Sequence, residues 1–202
     1  MNKRIVVLAS GLGTNFVALA ETIRKKKLKA EIVALLSDNP EANALLVSLS
    51  LGIRPITLHH DKNNREALNR ALDERLNELS PHLIVTAGYM KLLPDFIVQK
   101  YENKIIHIHP SLLPAFQGMH AIKRAYEYGV KVTGCTTHFV DSSLDGGRVI
   151  MQSVVKIKPG MKEEDLRIAI QKEEHKILPK SVQYFIEDRL VIHGRDVKIL
   201  EE

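Results

Sequence analysis

The 202-residue sequence contains one cysteine, Cys135, no tryptophan, and five each of tyrosine and phenylalanine. A single cysteine excludes an internal disulfide and a cysteine-rich zinc site, and Cys135 reads as a small buried side chain. No apolar run approaches the roughly 18 residues that a membrane helix requires. The run at residues 5–9, which follows Asn2-Lys3-Arg4, is too short for the apolar core of a secretory signal. The expected compartment is therefore the cytoplasm. Charge of one sign is scarce as well: 29 lysines and arginines against 24 acids leave +5, and only Lys25-Lys26-Lys27 forms a cluster. Such a balance suits small anionic ligands. With aromatics at 5% and none interleaved with basic residues, it argues against nucleic acid. No repeat, linker or low-complexity stretch divides the chain.

An apolar content of 45% is enough for one buried core. Strand-like apolar runs at residues 5–9, 31–36, 53–58, 83–87 and 105–109 alternate with helical patterns at 15–24, 42–51 and 65–79. Runs that are apolar throughout are those of parallel strands covered on both faces, so the pattern predicts an α/β fold with a doubly wound, mostly parallel sheet. After a helix near 122–128, two β-like runs at 132–140 and 149–157 flank Gly146-Gly147 and predict an antiparallel extension. A long helix over 163–186 follows, with Leu166, Ile170, Ile177 and Leu178 at core spacing and Glu174 close to the same stripe. The tail at 191–199 reads as a hairpin around Gly194.

Two segments carry chemistry. Ser10-Gly11-Leu12-Gly13-Thr14-Asn15 leads from the first strand into a helix, where backbone amides and the helix dipole can hold an anion and where Thr14 or Asn15 can cap. Phe16 stands where a dinucleotide fingerprint needs a third glycine, and no Gly-Lys pair follows, so a monophosphate ester fits better than NAD or ATP. Asp38, before Asn39-Pro40, reads equally as a ribose ligand or a turn residue. The second segment is His107-Ile108-His109-Pro110-Ser111-Leu112-Leu113-Pro114. Side chains alternate along a strand, so His107 and His109 share one face at its carboxyl end, where open α/β sheets bind ligands. Asp145 in a distant loop can orient His109 and raise its pKa; His120 and His138 add further imidazoles. The same His-x-His with His138 and Asp145 is also a donor set that a zinc hydrolase could use.

Taken together, the loop at 10–15, Ala87-Gly88-Tyr89-Met90-Lys91-Leu92-Leu93, the His-Pro-Ser-Leu-Leu-Pro run, Leu144-Asp145-Gly146-Gly147 and Gln171-Lys172-Glu173-Glu174-His175 resemble the phosphoribosylglycinamide formyltransferases over nearly the whole chain. The resemblance implies a Rossmann-like formyltransferase domain over 1–188, with a short tail, 189–202, packed on it. It implies transfer of the formyl group of 10-formyltetrahydrofolate to the amine of glycinamide ribonucleotide in purine synthesis, through a tetrahedral intermediate and without metal. By the same likeness Gly13, Thr14, Asn15, Gln171, Lys172, Glu173 and Glu174 bind the ribonucleotide. Arg65, Met90, Lys91, Leu92, Leu93, His107, Asp141, Ser142, Ser143, Leu144 and Asp145 bind the folate, and His109 and Asp145 are catalytic. The implied partners are small molecules, with neither nucleic acid nor membrane, and a homodimer is compatible.

The chain departs from the family where His107 replaces an Asn that donates to the formyl oxygen, and also at Leu12, Gln117 and Arg148. His107 is expected to serve as the third catalytic residue. The alternatives are a binding protein impaired by His107, the metal-dependent hydrolase, and a sister formyltransferase or deformylase, which would usually carry an extra domain.

Overall fold

The computed structural model describes residues 2–58 and 64–201. The chain divides into two compact units, Met1–Ile106 and His107–Glu202. In the first, strands β1 (Lys3–Leu8), β2 (Ala30–Ser37), β3 (Pro55–Thr57) and β4 (Leu83–Thr86) lie in the order β3-β2-β1-β4, each pair parallel. All four residues of β4, and Ile5 to Leu8 of β1, are buried, as parallel strands covered on both faces must be. The third strand is shorter than the apolar run suggested, and Pro55 at its start has no amide hydrogen to give a ladder.

Helices α1 (Thr14–Lys26), α2 (Asn43–Ser50) and α3 (Arg65–Leu79) connect these strands. The third buries Leu68, Leu72, Leu76 and Leu79, one stripe at the helical period. Its start is fixed by Asn64, whose side chain accepts the Ala67 amide at 2.9 Å. A fourth helix, α4 (Asp95–Lys100), was not foreseen: its six residues follow Pro94 and bury only Ile97 and Val98, too little periodicity to read.

Strand β5 (Ile105–His109) crosses the boundary, with Ile105 and Ile106 in the first unit and His107 to His109 in the second. The second unit continues with α5 (Ala121–Tyr128), β6 (Val132–Phe139), β7 (Val149–Lys156), α6 (Glu163–Ile186) and the hairpin β8 (Leu190–His193) and β9 (Asp196–Ile199). Here β6 lies between β5 and β7 and pairs antiparallel with β7. The two backbones come so close that a Cβ on Gly134 would stand 1.9 Å from the Ser153 carbonyl oxygen. Near the end of the pair the register slips, Thr137 facing Met151 but His138 facing Val149, a bulge that turns the His138 side chain.

Helix α6 packs on β6 and β7 through Leu166, Ile170, Ile177, Leu178 and Val182. Glu163, Glu164 and Asp165 complement its dipole, and the Asp165 carboxylate accepts the Lys162 amide. The architecture is the expected mostly parallel α/β sheet with antiparallel additions, and Cys135 is buried. No helix among the described residues is long and apolar enough to cross a membrane.

Candidate active site

Three imidazoles of the second unit meet around one carboxylate. Asp145 Oδ2 lies 3.3 Å from His109 Nδ1, and Asp145 Oδ1 lies 3.8 Å from both His107 Nε2 and His138 Nε2. At 3.8 Å the latter two contacts are electrostatic rather than hydrogen bonds. Strand alternation brings His107 and His109 together, with ring centroids 6.1 Å apart. The bulge in β6 brings in His138, whose ring meets His107 edge-on at 5.4 Å. His120, by contrast, stands exposed at the start of α5 and joins none of them.

Burial by itself would raise the Asp145 carboxyl. His138, the Gly118 amide, His109 and His107 outweigh it and hold the group well below the usual carboxylate range. Asp145 is therefore a carboxylate throughout the neutral range. The expected upward shift of His109 does not result. Burial is the largest influence and draws its pKa below the ordinary imidazole value, although the Phe116 carbonyl and Asp145 both act to raise it; His138 and Arg124 add to the lowering. His109 has an acceptor at each nitrogen, Phe116 O 3.0 Å from Nε2 and Asp145 Oδ2 at Nδ1. Only the imidazolium can donate to both. The ring thus prefers two protons by geometry while burial loosens them.

The loops that hold these groups are conformationally costly. Asp145, Phe116 and His120 all adopt left-handed backbone, with φ of 50°, 55° and 58°. Each such residue costs about 1–2 kcal/mol. The contacts that sustain Asp145 are specific: its Oδ2 accepts the Gly118 amide at 2.7 Å, and its carbonyl accepts the Gln117 side chain at 3.3 Å. Gly147 leaves room that nothing else could, since a Cβ there would lie 1.7 Å from the Phe139 carbonyl oxygen. The β8–β9 turn is tied to the same loop from both ends. Arg148 Nε donates to the Gly194 carbonyl, and Arg195 donates to the Gly146 carbonyl, each at 2.6 Å. Arg148, unexplained in the sequence, is one half of this reciprocal tie. Asp141 accepts the Ser143 amide at 2.9 Å, while Ser142 and Leu144 stand exposed.

In the first unit, the glycine loop is a braced turn. Gly13 has φ 80°, and a Cβ on it would lie 2.9 Å from Ala44 Cβ, so both conformation and packing require glycine. Gly13 is itself the cap residue of α1, and neither Thr14 nor Asn15 caps the helix with its side chain as expected, because both lie inside it. Gly13 has no side chain with which to cap the turn, and the amino end of a helix favours an anion. Asp38 accepts the Ser10 hydroxyl at 2.5 Å, and the Met90 amide donates to that same oxygen at 2.9 Å, which gives Asp38 a bracing role. Leu12 is exposed, as are Met90 and Leu92 beside Lys91, and Arg65 is exposed at the start of α3.

Along α6 the sequence-predicted residues separate. Glu174 is buried on the stripe facing the strands. Lys172 and Glu173 instead line an open groove of about 690 Å³ with Val154, Met161, Ile168 and His175, and Glu173 accepts the Ser153 hydroxyl at 2.7 Å. The roles of Gln117, Arg148 and Arg195 escaped the sequence, which carries no signal for loop-to-loop contacts of this kind.

Residues 3–182 match the formyl transferase family. The chain is 36% identical over 190 residues to the phosphoribosylglycinamide formyltransferase of Escherichia coli, covering 94% of this chain and 90% of that protein. It is 38% identical over 181 residues to the bovine trifunctional purine biosynthetic protein adenosine-3, of which it spans only 18% of the length. A solved glycinamide ribonucleotide transformylase from Symbiobacterium toebii superposes with a TM-score of 0.93 at 40% identity, over 99% of this chain and 95% of that one.

Proposed function

Since the chain belongs to the formyl transferase family, we propose that it transfers the formyl group of 10-formyltetrahydrofolate to the amine of glycinamide ribonucleotide, as a cytoplasmic enzyme of purine synthesis. The observation that carries this reading is the ionised Asp145 within 3.8 Å of three imidazoles. In the reaction, the amine nitrogen bonds to the formyl carbon, the bond from that carbon to the folate nitrogen breaks, and one proton passes from the amine to the folate nitrogen. No metal is needed.

His109 carries that proton. Asp145 stabilises the imidazolium, burial makes its proton easy to release, and the hydrogen bond now held by the Phe116 carbonyl passes to the developing oxyanion. His107 takes the family's Asn position as donor to the formyl oxygen. Gly13, Thr14 and Asn15 receive the phosphate at the amino end of α1, and Glu174 with Gln171, Lys172 and Glu173 serves the rest of the ribonucleotide. Exposed Met90 and Leu92 with Lys91 and Leu93 offer an apolar surface to the pterin, Arg65 a cation to the folate carboxylates, and residues 141–145 the remaining folate contacts. Residues 1–188 work as one domain with 189–202 packed on it, a reading supported by the unbroken family match over residues 3–182.

The test is formyl transfer between these two substrates in the presence of a chelator, on this chain and on His107→Asn. Turnover by the chain is expected. Absence of transfer from both proteins, each folded, would overturn the assignment.

A further inference from the structure

His138 poses a problem that formyl transfer does not solve. Its ring is 2% exposed, and its Nδ1 lies 2.9 Å from the Phe139 carbonyl, so Nδ1 carries a hydrogen and, in the neutral ring, Nε2 presents a lone pair. That Nε2 is buried with no hydrogen-bond partner among the described residues. It points at Asp145 Oδ1, a second lone-pair donor 3.8 Å away, and His107 Nε2 approaches the same oxygen at the same distance. A neutral His138 thus turns a lone pair on the carboxylate at a distance too long for a hydrogen bond, and three donor atoms converging on one point define a place for a cation.

From this we infer that His107, His138 and Asp145 form a binding site for a borderline divalent transition cation, zinc above all. The three donor atoms lie within 4.8 Å of one another. Zinc with bonds near 2.1 Å holds tetrahedral ligand atoms about 3.4 Å apart, so small side-chain rotations close the site. Two imidazoles and one carboxylate suit zinc, whereas magnesium prefers oxygen alone. The outer contacts are those a metal site requires. The Phe139 carbonyl orients His138, and His109 and the Gly118 amide engage the other carboxylate oxygen, Oδ2. A fourth position is left open.

His107 is what makes the site, because the family's Asn would leave only two strong donors. Binding stands apart from the formyl-transfer reading and is measured without turnover; if that reading also holds, zinc at Asp145 stops transfer, and a chelator restores it.

The experiment is calorimetric titration of the untagged chain with Zn²⁺, and separately with Mg²⁺, at neutral pH. One Zn²⁺ per chain and no Mg²⁺ is expected. His107→Asn should weaken Zn²⁺ by more than the ten- to hundredfold typical of losing an outer-shell contact, while His193→Gln, an exposed control, should bind as the parent does. Co²⁺ added to the parent chain should give the visible absorption of a nitrogen- and oxygen-ligated ion, bleached by Zn²⁺, which keeps the test independent of whether the variant folds. No binding to the parent, or equal binding by a folded His107→Asn, would overturn the site.

Discussion

Replacing Asp145 with Asn removes a charge while leaving shape almost untouched. The Asn oxygen, placed where Oδ2 now stands, can still accept both the Gly118 amide and the His109 Nδ1 hydrogen, while its NH2 takes the place of Oδ1 beside His107 and His138. The substitution therefore keeps an acceptor at Nδ1 but withdraws the negative charge that stabilises the His109 imidazolium. At an effective dielectric near 20, full charges 3.3 Å apart interact by about 5 kcal/mol. Part of this is returned, since the amide oxygen still accepts the His109 Nδ1 hydrogen in Asp145→Asn. A barrier increase of about 3–4 kcal/mol remains, or roughly a 150- to 1,000-fold fall in kcat. The assay is steady-state formyl transfer with both substrates saturating, beside a thermal melt, with KM for the ribonucleotide expected to move less than about threefold. A folded Asp145→Asn within about fivefold of the parent kcat would refute the electrostatic role given to this carboxylate.

Two other outcomes follow from the same structure. Arg148→Ala and Arg195→Ala should each lower kcat/KM by an amount equivalent to about 0.5–1.5 kcal/mol, the net range of an ordinary intramolecular hydrogen bond, since solvent exposure offsets the donor's charge. The double variant should lose less than their sum, and additivity within about 0.3 kcal/mol would disprove the coupling. His175, half-buried on α6, has its pKa pulled below 6.5 by burial. The unfolded chain therefore takes up the proton first, so the folded state loses ground as pH falls below 6.5 and the group has no effect above it. Denaturant melts of His175→Gln should show a smaller loss between about pH 7 and pH 5 than the parent, and parallel curves would contradict the assignment.

The sequence was most informative where burial dictates composition. Ile5 to Leu8 and Leu83 to Thr86 read as strands because both of their faces are covered, and Leu68, Leu72, Leu76 and Leu79 read as helix because one face is. The shared face of His107 and His109 follows from alternation alone. Asp145 suggests itself as their carboxylate partner on chemistry, and the resemblance singles it out, since a residue 36 positions from His109 leaves no periodic trace. His138 reaches the cluster through a register slip, and Asp145 through a left-handed residue; both are set by partner backbone, not by local preference. His109 was misjudged in sign because charge partners can be guessed from a sequence and desolvation cannot.

The exchange of arginines between residues 146–148 and 194–195 has a practical side. The family match stops at residue 182, so a designer trimming the chain to its matched span would discard the hairpin that grips the loop of Asp145. Arg189 Nε donates to the Leu200 carbonyl at 2.7 Å, which extends that grip almost to the last residue. An affinity tag is therefore safer ahead of Asn2 than behind Leu200. Chimeras that borrow a tail from a relative should borrow the loop with it, because neither arginine finds its acceptor without the other segment.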